Sequence, residues 1–529
     1  NFNYSIRRFD IAATLGWTGR YENMNNMRVS TNGGLVTENW FDLNASRYTA
    51  SSTLQRMELL KTGDMGTLSL GWDNYLFLEL TDQSFFYPSA NLSFLFSNAF
   101  RMPAWWNHGK LRLSYGVVGN APETYAANII YEQGSDNGFT WNYVPSSWGN
   151  ANIRPEKKYE YEIGFESKFL NNRLGFDVSY YNNRVKDQIL STPQPSTSGV
   201  KYVLMNVGEV ANEGWDISVS ATPVLTKNFR WDLTANYGIY RNKVVKLADG
   251  VPYLEISNIG GGGAKIQAVE GRPMGDIYVQ VPQMNENGEY LVSDKGLYMN
   301  QTELQRVGNI NPDGVGGLFS SFSYKNIFLD FSIDFRIGGD VINEMYQYST
   351  ASGLTPESLQ FRDTEHGGLS YYYPGNNNAS GVPVQVDPSL GAGPNGETVY
   401  HDGVILPGVV ASTGEKNTRI IPAGYYYNQT YNWGTQPEQL TYRHSVFDNS
   451  YVKLRELTIG YQFPEKLISK LGMTRLSVSV FGRNLFYFYK ALKNYDAESS
   501  VGTSWASQAV VGGSTTATRN FGVSLRASF

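Results

Sequence analysis

The last nine residues of the chain set the strongest constraint on its fold. Phe521, Val523, Leu525, Ala527 and Phe529 alternate with Gly522, Ser524, Arg526 and Ser528, so one face is apolar and the other polar up to the final side chain. A period of two is the signature of a β-strand with one covered face, because successive side chains leave the pleat on opposite sides. The pattern recurs at Leu476, Val478 and Val480, at Leu457, Ile459, Tyr461 and Phe463, and at Ile327, Leu329, Phe331, Ile333 and Phe335. Toward the N-terminus it returns at Trp231 to Tyr237, Trp215 to Val219, Leu174 to Tyr180, Tyr161 to Phe165 and Leu111 to Val117. It continues at Leu92 to Phe96, Leu76 to Leu80, Leu68 to Trp72 and Ile11 to Trp17. With a noisier segment near 316 to 325, the sequence predicts about 14 strands.

Connection lengths alternate as well. The joins near 464–474, 325–326, 222–229, 169–172, 99–109 and 73–74 are short. The joins between them are mostly long, at about 19–63, 120–154, 190–200, 245–314, 340–446 and 490–516, with 82–84 as the short exception. Short turns at one end and long loops at the other describe an outer-membrane barrel. A charge on the lipid face costs roughly 2 to 4 kcal/mol at mid-bilayer, so one face of each spanning strand must be free of charge. The apolar faces above carry none, while Glu79, Arg112, Glu160, Glu162, Glu166, Asp177, Asp232, Asp330, Asp334 and Arg526 lie on the opposite faces. Trp17, Trp72, Trp215 and Trp231 stand at ends of apolar faces, where an amphipathic ring meets the headgroups. The expected fold class is therefore all-β, a transmembrane antiparallel β-barrel, whose closure removes the unpaired edges of an open sheet. A half-buried sandwich strand alternates in the same way, which keeps a soluble carbohydrate-binding β protein open as an alternative, together with a passive 14-strand porin-like channel.

Composition excludes several other classes. Lys and Arg number 43 against 48 acidic residues, a net charge of -5 without the basic excess of a nucleic-acid binder. No window approaches the roughly 20 apolar residues of a spanning helix. The absence of cysteine rules out disulfides, thiolate metal sites and thiol nucleophiles. His108, His366, His401 and His444 are the only histidines and none has zinc-hydrolase spacing. No metal, cofactor or enzymatic activity is expected. Glu160, Glu162 and Glu166 share a strand face, but carboxylates two apart on one strand do not flank a sugar as glycoside hydrolysis requires. The glycines 260 to 263 lack a following Lys-Ser or Lys-Thr and are expected to make a mobile loop instead of a phosphate cradle. Asn285-Glu-Asn-Gly-Glu289 and Asn311-Pro-Asp-Gly314 lack full calcium-loop spacing and are expected to be turns.

Several runs carry a family resemblance. Tyr451-Val-Lys-Leu-Arg-Glu-Leu-Thr-Ile-Gly-Tyr461, Val478-Ser-Val-Phe-Gly-Arg-Asn-Leu-Phe486 and Tyr495-Asp-Ala-Glu498 are joined by Lys110-Leu-Arg-Leu-Ser-Tyr-Gly-Val-Val-Gly-Asn120. So are Asn74-Tyr-Leu-Phe-Leu-Glu-Leu80, Phe86-Tyr-Pro-Ser-Ala-Asn-Leu-Ser-Phe94 and Phe322-Ser-Tyr-Lys-Asn-Ile-Phe-Leu-Asp330. In order and spacing, over about 64 to 529, they resemble SusC/RagA-type TonB-dependent outer-membrane transporters of Bacteroidetes. The resemblance implies a 22-stranded barrel filled by a plug and energised by TonB–ExbB–ExbD acting through that plug. It also implies a SusD-like surface lipoprotein as lid, with an oligosaccharide or peptide as ligand. No plug or TonB-box segment is recognisable, so the chain is expected to be the C-terminal portion of such a barrel, embedded in outer-membrane lipid, with the N-terminal portion absent or on another chain.

Ligand contact is expected from loop aromatics, which combine flat apolar area with a polar handle: Trp141, Trp148, Tyr371, Tyr372, Tyr425, Tyr426, Tyr427, Trp433 and Trp505. Phe521, Val523, Leu525 and Phe529 are expected to form the signal read by barrel-assembly machinery.

Overall fold

The structure, a computed structural model, describes all residues except 84–85, 137–138, 195–196, 198, 432–440 and 514–516. The chain forms two compact units, Asn1–Asn172 with Ser179–Ala211, and Arg173–Val178 with Asn212–Phe529.

The first unit is built on antiparallel strands in sequence order: β1 (Phe2–Ile6), β2 (Phe9–Leu35), β3 (Ser46–Trp72), β4 (Leu76–Gln83), β5 (Ser89–Phe94), β6 (Trp106–Asn120), β7 (Glu156–Phe169) and the later part, from Ser179, of β8 (Leu174–Lys186). In the second unit the order runs β9 (Glu209–Leu225), β10 (Phe229–Lys246), β11 (Gly314–Tyr324), β12 (Ile327–Ile337), β13 (Tyr451–Gln462), β14 (Arg475–Lys490) and β15 (Asn520–Ser528). Every expected segment overlaps one of these strands, though Phe96 falls in a short helical turn after β5 and Phe463 and Phe529 lie just past β13 and β15. β1 was not among the expected segments, although Phe2, Tyr4 and Ile6 alternate with Asn3 and Ser5 in the same way.

Within each unit the turns at one end of the strands are tight, and their chemistry explains them. Arg7, Asp73, Asn74, Asn171, Asn172 and Lys325 have φ between 51° and 63°. Left-handed residues are what two-residue hairpins need to match strand twist, and Asn and Asp tolerate that region best.

At the other end the connections are folded, and two expectations change. The stretch 19–63 is a continuation of β2 and β3, paired in register from Phe9↔Trp72 to Ser30↔Ser51. Alternation could not show this, because beyond Trp17 both faces of the ribbon carry polar residues. The long connections of the second unit are equally ordered. Residues 253–309 hold a four-stranded sheet, and Leu369–Tyr372, Val384–Gln385, Val399–Val404 and Ile421–Pro422 form another, beside helices α1 (Glu344–Ala351) and α2 (Ala423–Tyr431).

The largest buried apolar cluster in the second unit sits in these connections. Ile266 and Ile277 from the segment after β10 pack with Ile342, Tyr442 and Val446 from the segment after β12, and with Ala506, Ala509 and Val510 from the segment after β14. Backbone pairing joins two of these segments directly, with Ile342 opposite Val446 and, in parallel, Val510. The long strands show the reverse arrangement. Their large apolar side chains face outward uncovered, with Leu15 87%, Ile163 52%, Ile459 54%, Val480 58% and Val523 72% exposed. A hydrophobic face left open along strand after strand belongs against an apolar solvent.

Candidate functional site

The outward face of the first unit ends in a belt of touching rings at the tight-turn end. Phe9 stacks on Trp72 at 5.9 Å, Trp72 reaches Tyr75 at 5.8 Å, and Tyr75 reaches Phe94 at 6.2 Å. Phe96 meets Trp106 at 5.6 Å, and Trp105 stacks on Phe169 at 5.9 Å. Such a girdle marks where the hydrocarbon gives way to headgroups. Trp106 Nε1 donates to Ser167 Oγ at 2.5 Å, so its polar handle is satisfied within the belt. In the second unit Trp231 stacks on Phe322 at 5.4 Å and donates to Ser320 Oγ at 2.9 Å.

The opposite, inward face is charged and cross-linked. Arg112 of β6 meets Glu166 of β7 at 3.3 Å and Ser179 of β8 at 3.2 Å, and His108 lies 3.6 Å from Glu166. Glu160 is held by Lys158 at 2.5 Å and Asn183 at 3.1 Å. Of the three carboxylates weighed as hydrolytic groups, Glu160 and Glu166 are thus engaged by neighbouring side chains.

The densest inward network joins β12, β13 and β14 to the connection after β14. A bulge leaves Arg455 without an opposite residue, because Ser332 pairs with Glu456 and Ile333 with Leu454. Asn484, at φ 54°, makes the matching irregularity on β14. The freed guanidinium ion-pairs with Asp334 and donates to Glu498 Oε1 at 2.6 Å. Lys453, 2% exposed, donates to Glu498 Oε2 at 2.5 Å, and Tyr487 donates to Asp496 at 2.5 Å. Burial alone would raise the Glu498 carboxyl, but hydrogen bonds from Arg455 and Lys453 hold it below its ordinary range. The sequence run Tyr495 to Glu498 is therefore the clamp that fixes the final long connection to the strands. Sequence analysis noted its residues without their role; Asn484 inside an alternating strand was the available signal.

A second ionic anchor lies in the four-stranded sheet. Asp276, with a fully buried side chain, accepts from Arg272 at 2.6 Å, Arg306 at 2.8 Å and Asn309 at 2.9 Å. Burial pushes its carboxyl up, yet the two guanidiniums prevail and hold it low.

The predicted loop aromatics divide by exposure. Tyr371 is 1% exposed, stacks on Tyr400 at 5.5 Å and donates to Asp402 at 3.1 Å, and Tyr427, 5% exposed, donates to the Glu357 carbonyl at 2.8 Å. These two are packing residues and present no ring to a ligand. Tyr372, Tyr426 and Trp148 are half-buried. Trp141 on a two-stranded hairpin is 47% exposed, Tyr425 on α2 37% and Trp505 39%. Trp433 lies outside the described residues. Phe521, Val523 and Leu525 pair with Gly482, Val480 and Val478 and remain outward, at 73%, 72% and 68% exposure, as does Phe529 at 82%.

The expected turns have internal explanations. Asn285 Oδ1 accepts the backbone N–H of Asn287 at 3.0 Å and of Glu289 at 2.9 Å, which closes a turn. In place of the loop expected at glycines 260 to 263, Gly260, at φ 57°, starts a 3-10 turn, and a Cβ there would collide with the Tyr442 hydroxyl. Among the described residues no group of His, Asp and Glu is arranged to hold a metal ion.

The known proteins that this chain is similar to include TonB-dependent receptors. Residues 1–269 match the family described as "TonB dependent receptor-like, beta-barrel", just over half the chain. TonB-dependent receptor P3 of Formosa agariphila is 22% identical over 417 residues, covering 72% of this chain and 35% of that protein. TonB-dependent receptor SusC of Bacteroides thetaiotaomicron is 27% identical over 256 residues, covering 42% of this chain and 24% of that protein. The chain thus spans about a third or less of the length of these relatives. The solved structure of the RagAB peptide transporter shares the fold, with TM-score 0.69 at 17% identity over 99% of this chain and 54% of that one. The chain belongs to the TonB dependent receptor-like, beta-barrel family and is an outer-membrane β-barrel protein.

Proposed function

We propose that the chain forms part of the barrel of a SusC/RagA-type importer that takes up oligomeric nutrients, oligosaccharides or oligopeptides, without catalysis of its own. The observation that carries this reading is the packing of three long connections around one apolar core, tied to the inward strand face by the Lys453–Glu498–Arg455 clamp. A passive channel needs an open mouth, whereas an ordered superstructure of this size suits capture and selection. The relative named SusC and the fold shared with a peptide transporter support the same reading. In the whole protein, strands from the N-terminal portion complete the barrel, a plug fills it, TonB–ExbB–ExbD acts through that plug, and a SusD-like lipoprotein covers the loops. Exposed Trp141, Tyr425 and Trp505 are the ring faces offered to ligand. The test is uptake of labelled oligosaccharide and oligopeptide mixtures by host cells with and without the gene. Loss of one class on deletion, restored by complementation and abolished by a protonophore, is expected. Unchanged uptake of every oligomer overturns it.

A further inference from the structure

The outward face of β7 and β8 carries a group of cations at one defined depth. Outward residues on β7 are fixed by register, since Phe165, Tyr161, Tyr159 and Lys157 lie opposite Leu111, Tyr115, Val117 and Gly119. Phe169 belongs to the ring belt at the tight-turn end. Tyr159 lies ten residues above it on the same strand, which at about 3.3 Å per residue and about 40° tilt is close to the 25 Å height of a barrel's apolar band. Tyr159 and Tyr161, the latter 61% exposed and 4.9 Å from Tyr115, therefore stand at the opposite interface, on the long-loop side.

Lys157 sits one outward position beyond Tyr159, and Lys186 of β8 places its ammonium 5.9 Å from the Tyr159 ring centre. Asn183 donates to inward-facing Glu160 at 3.1 Å, so alternation turns Arg184 and Lys186 outward. Arg184, 57% exposed, shares one guanidinium nitrogen with Glu209 at 2.9 Å, and among the described residues the rest of its fork is left for a second acceptor. Among the described residues Lys157 and Lys186 have no carboxylate partner. Cations without counter-charges, just above a tyrosine-marked interface, match an anionic headgroup whose acyl chains lie on the apolar face below.

We propose that Lys157, Arg184 and Lys186 seat the phosphate of an outer-leaflet lipid headgroup. Its acyl chains then lie along Tyr161, Ile163 and Phe165. The seat is separate from the import path, because it faces away from the charged inward wall.

Native mass spectrometry of the full-length protein in detergent, with bisphosphorylated lipid A or the same lipid stripped of phosphate as probe, tests this. Retention of the phosphorylated lipid is expected, with occupancy falling roughly fivefold for each cation removed in K157Q and K186Q. K157R/K186R should retain it, and Lys158→Gln, on the inward face, should leave occupancy unchanged. Should the glutamine variants misfold, wild-type occupancy measured against salt serves instead, and a steep fall with ionic strength is expected. Equal retention of the phosphate-free lipid, equal retention by folded K157Q/K186Q, or salt-independent binding overturns the proposal.

Discussion

Arg455 donates from Nη1 to Asn484 Oδ1 at 2.8 Å, a contact between two backbone irregularities on adjacent strands. One strand carries an extra residue there and the other a left-handed asparagine, so the two departures are mutually required. The guanidinium thereby reaches Asp334 and Glu498 as well, and Asn484 Nδ2 reaches the Thr518 carbonyl at 3.3 Å.

Arg455→Met is expected to free the 491–519 connection by leaving Asp334 and Glu498 under-compensated. The cost should be about 2 kcal/mol, reduced from a fully buried pair because the side chains are about a third exposed. Asn484→Ala should cost about 1 kcal/mol through the left-handed backbone, and Asn484→Gly less. Limited proteolysis of this segment checks both, and wild-type protection of Arg455→Met would contradict the clamp.

Much of this was present in the sequence, for a physical reason. Lipid on one side and water or protein on the other impose alternation on every spanning strand, so Leu457, Ile459 and Tyr461 could be assigned a face directly. The bulge at Arg455 shifts that phase, which is why Lys453 and Arg455, odd-numbered like those outward residues, face inward instead. Beyond Trp17 the ribbon of β2 and β3 meets water on both faces and loses its period. The core of Ile266, Ile342 and Val510 is assembled from three segments spread over more than 240 residues of chain, and nothing local encodes it.

The buried ring of Tyr371 and the exposed ring of Trp141 should respond differently to truncation. Tyr371→Ala removes a covered aromatic and its bond to Asp402, at a cost of about 3 kcal/mol to the surrounding sheet. Trp141→Ala should change stability by under about 1 kcal/mol and lower ligand affinity instead. Thermal unfolding alongside ligand titration separates the two, and stability loss in Trp141→Ala would assign it to packing.

Acid should loosen the segment around Glu397. Its carboxyl is held down to about 2 by the backbone N–H of Asn395 at 2.8 Å, with the Gly375 N–H and the Asn395 side-chain amide adding to the effect. A depressed folded-state value means the stabilisation is complete above the unfolded carboxylate range near 4.5 and fades as pH falls toward 2. Pepsin cleavage within 369–404 should rise through that window, and Glu397→Gln should flatten the rise. A pH-independent cleavage rate would contradict the assignment.

Deleting Phe529 removes an outward aromatic, 82% exposed, beyond the end of β15. Lower outer-membrane levels of the shortened protein are expected from surface labelling. Normal levels would contradict a role for Phe529 in assembly.

These strands contribute no cysteine of their own to the decisive measurement. Single cysteines at consecutive positions 476–482 and 521–527, spin-labelled in the bilayer-reconstituted full-length protein, report accessibility to oxygen dissolved in lipid. High oxygen accessibility at Val478, Val480, Val523 and Leu525, alternating with low values at Ser477, Ser479, Ser524 and Arg526, is predicted. Low accessibility at both sets, with the apolar positions shielded from lipid and water alike, would contradict an outward apolar face and the barrel built on it.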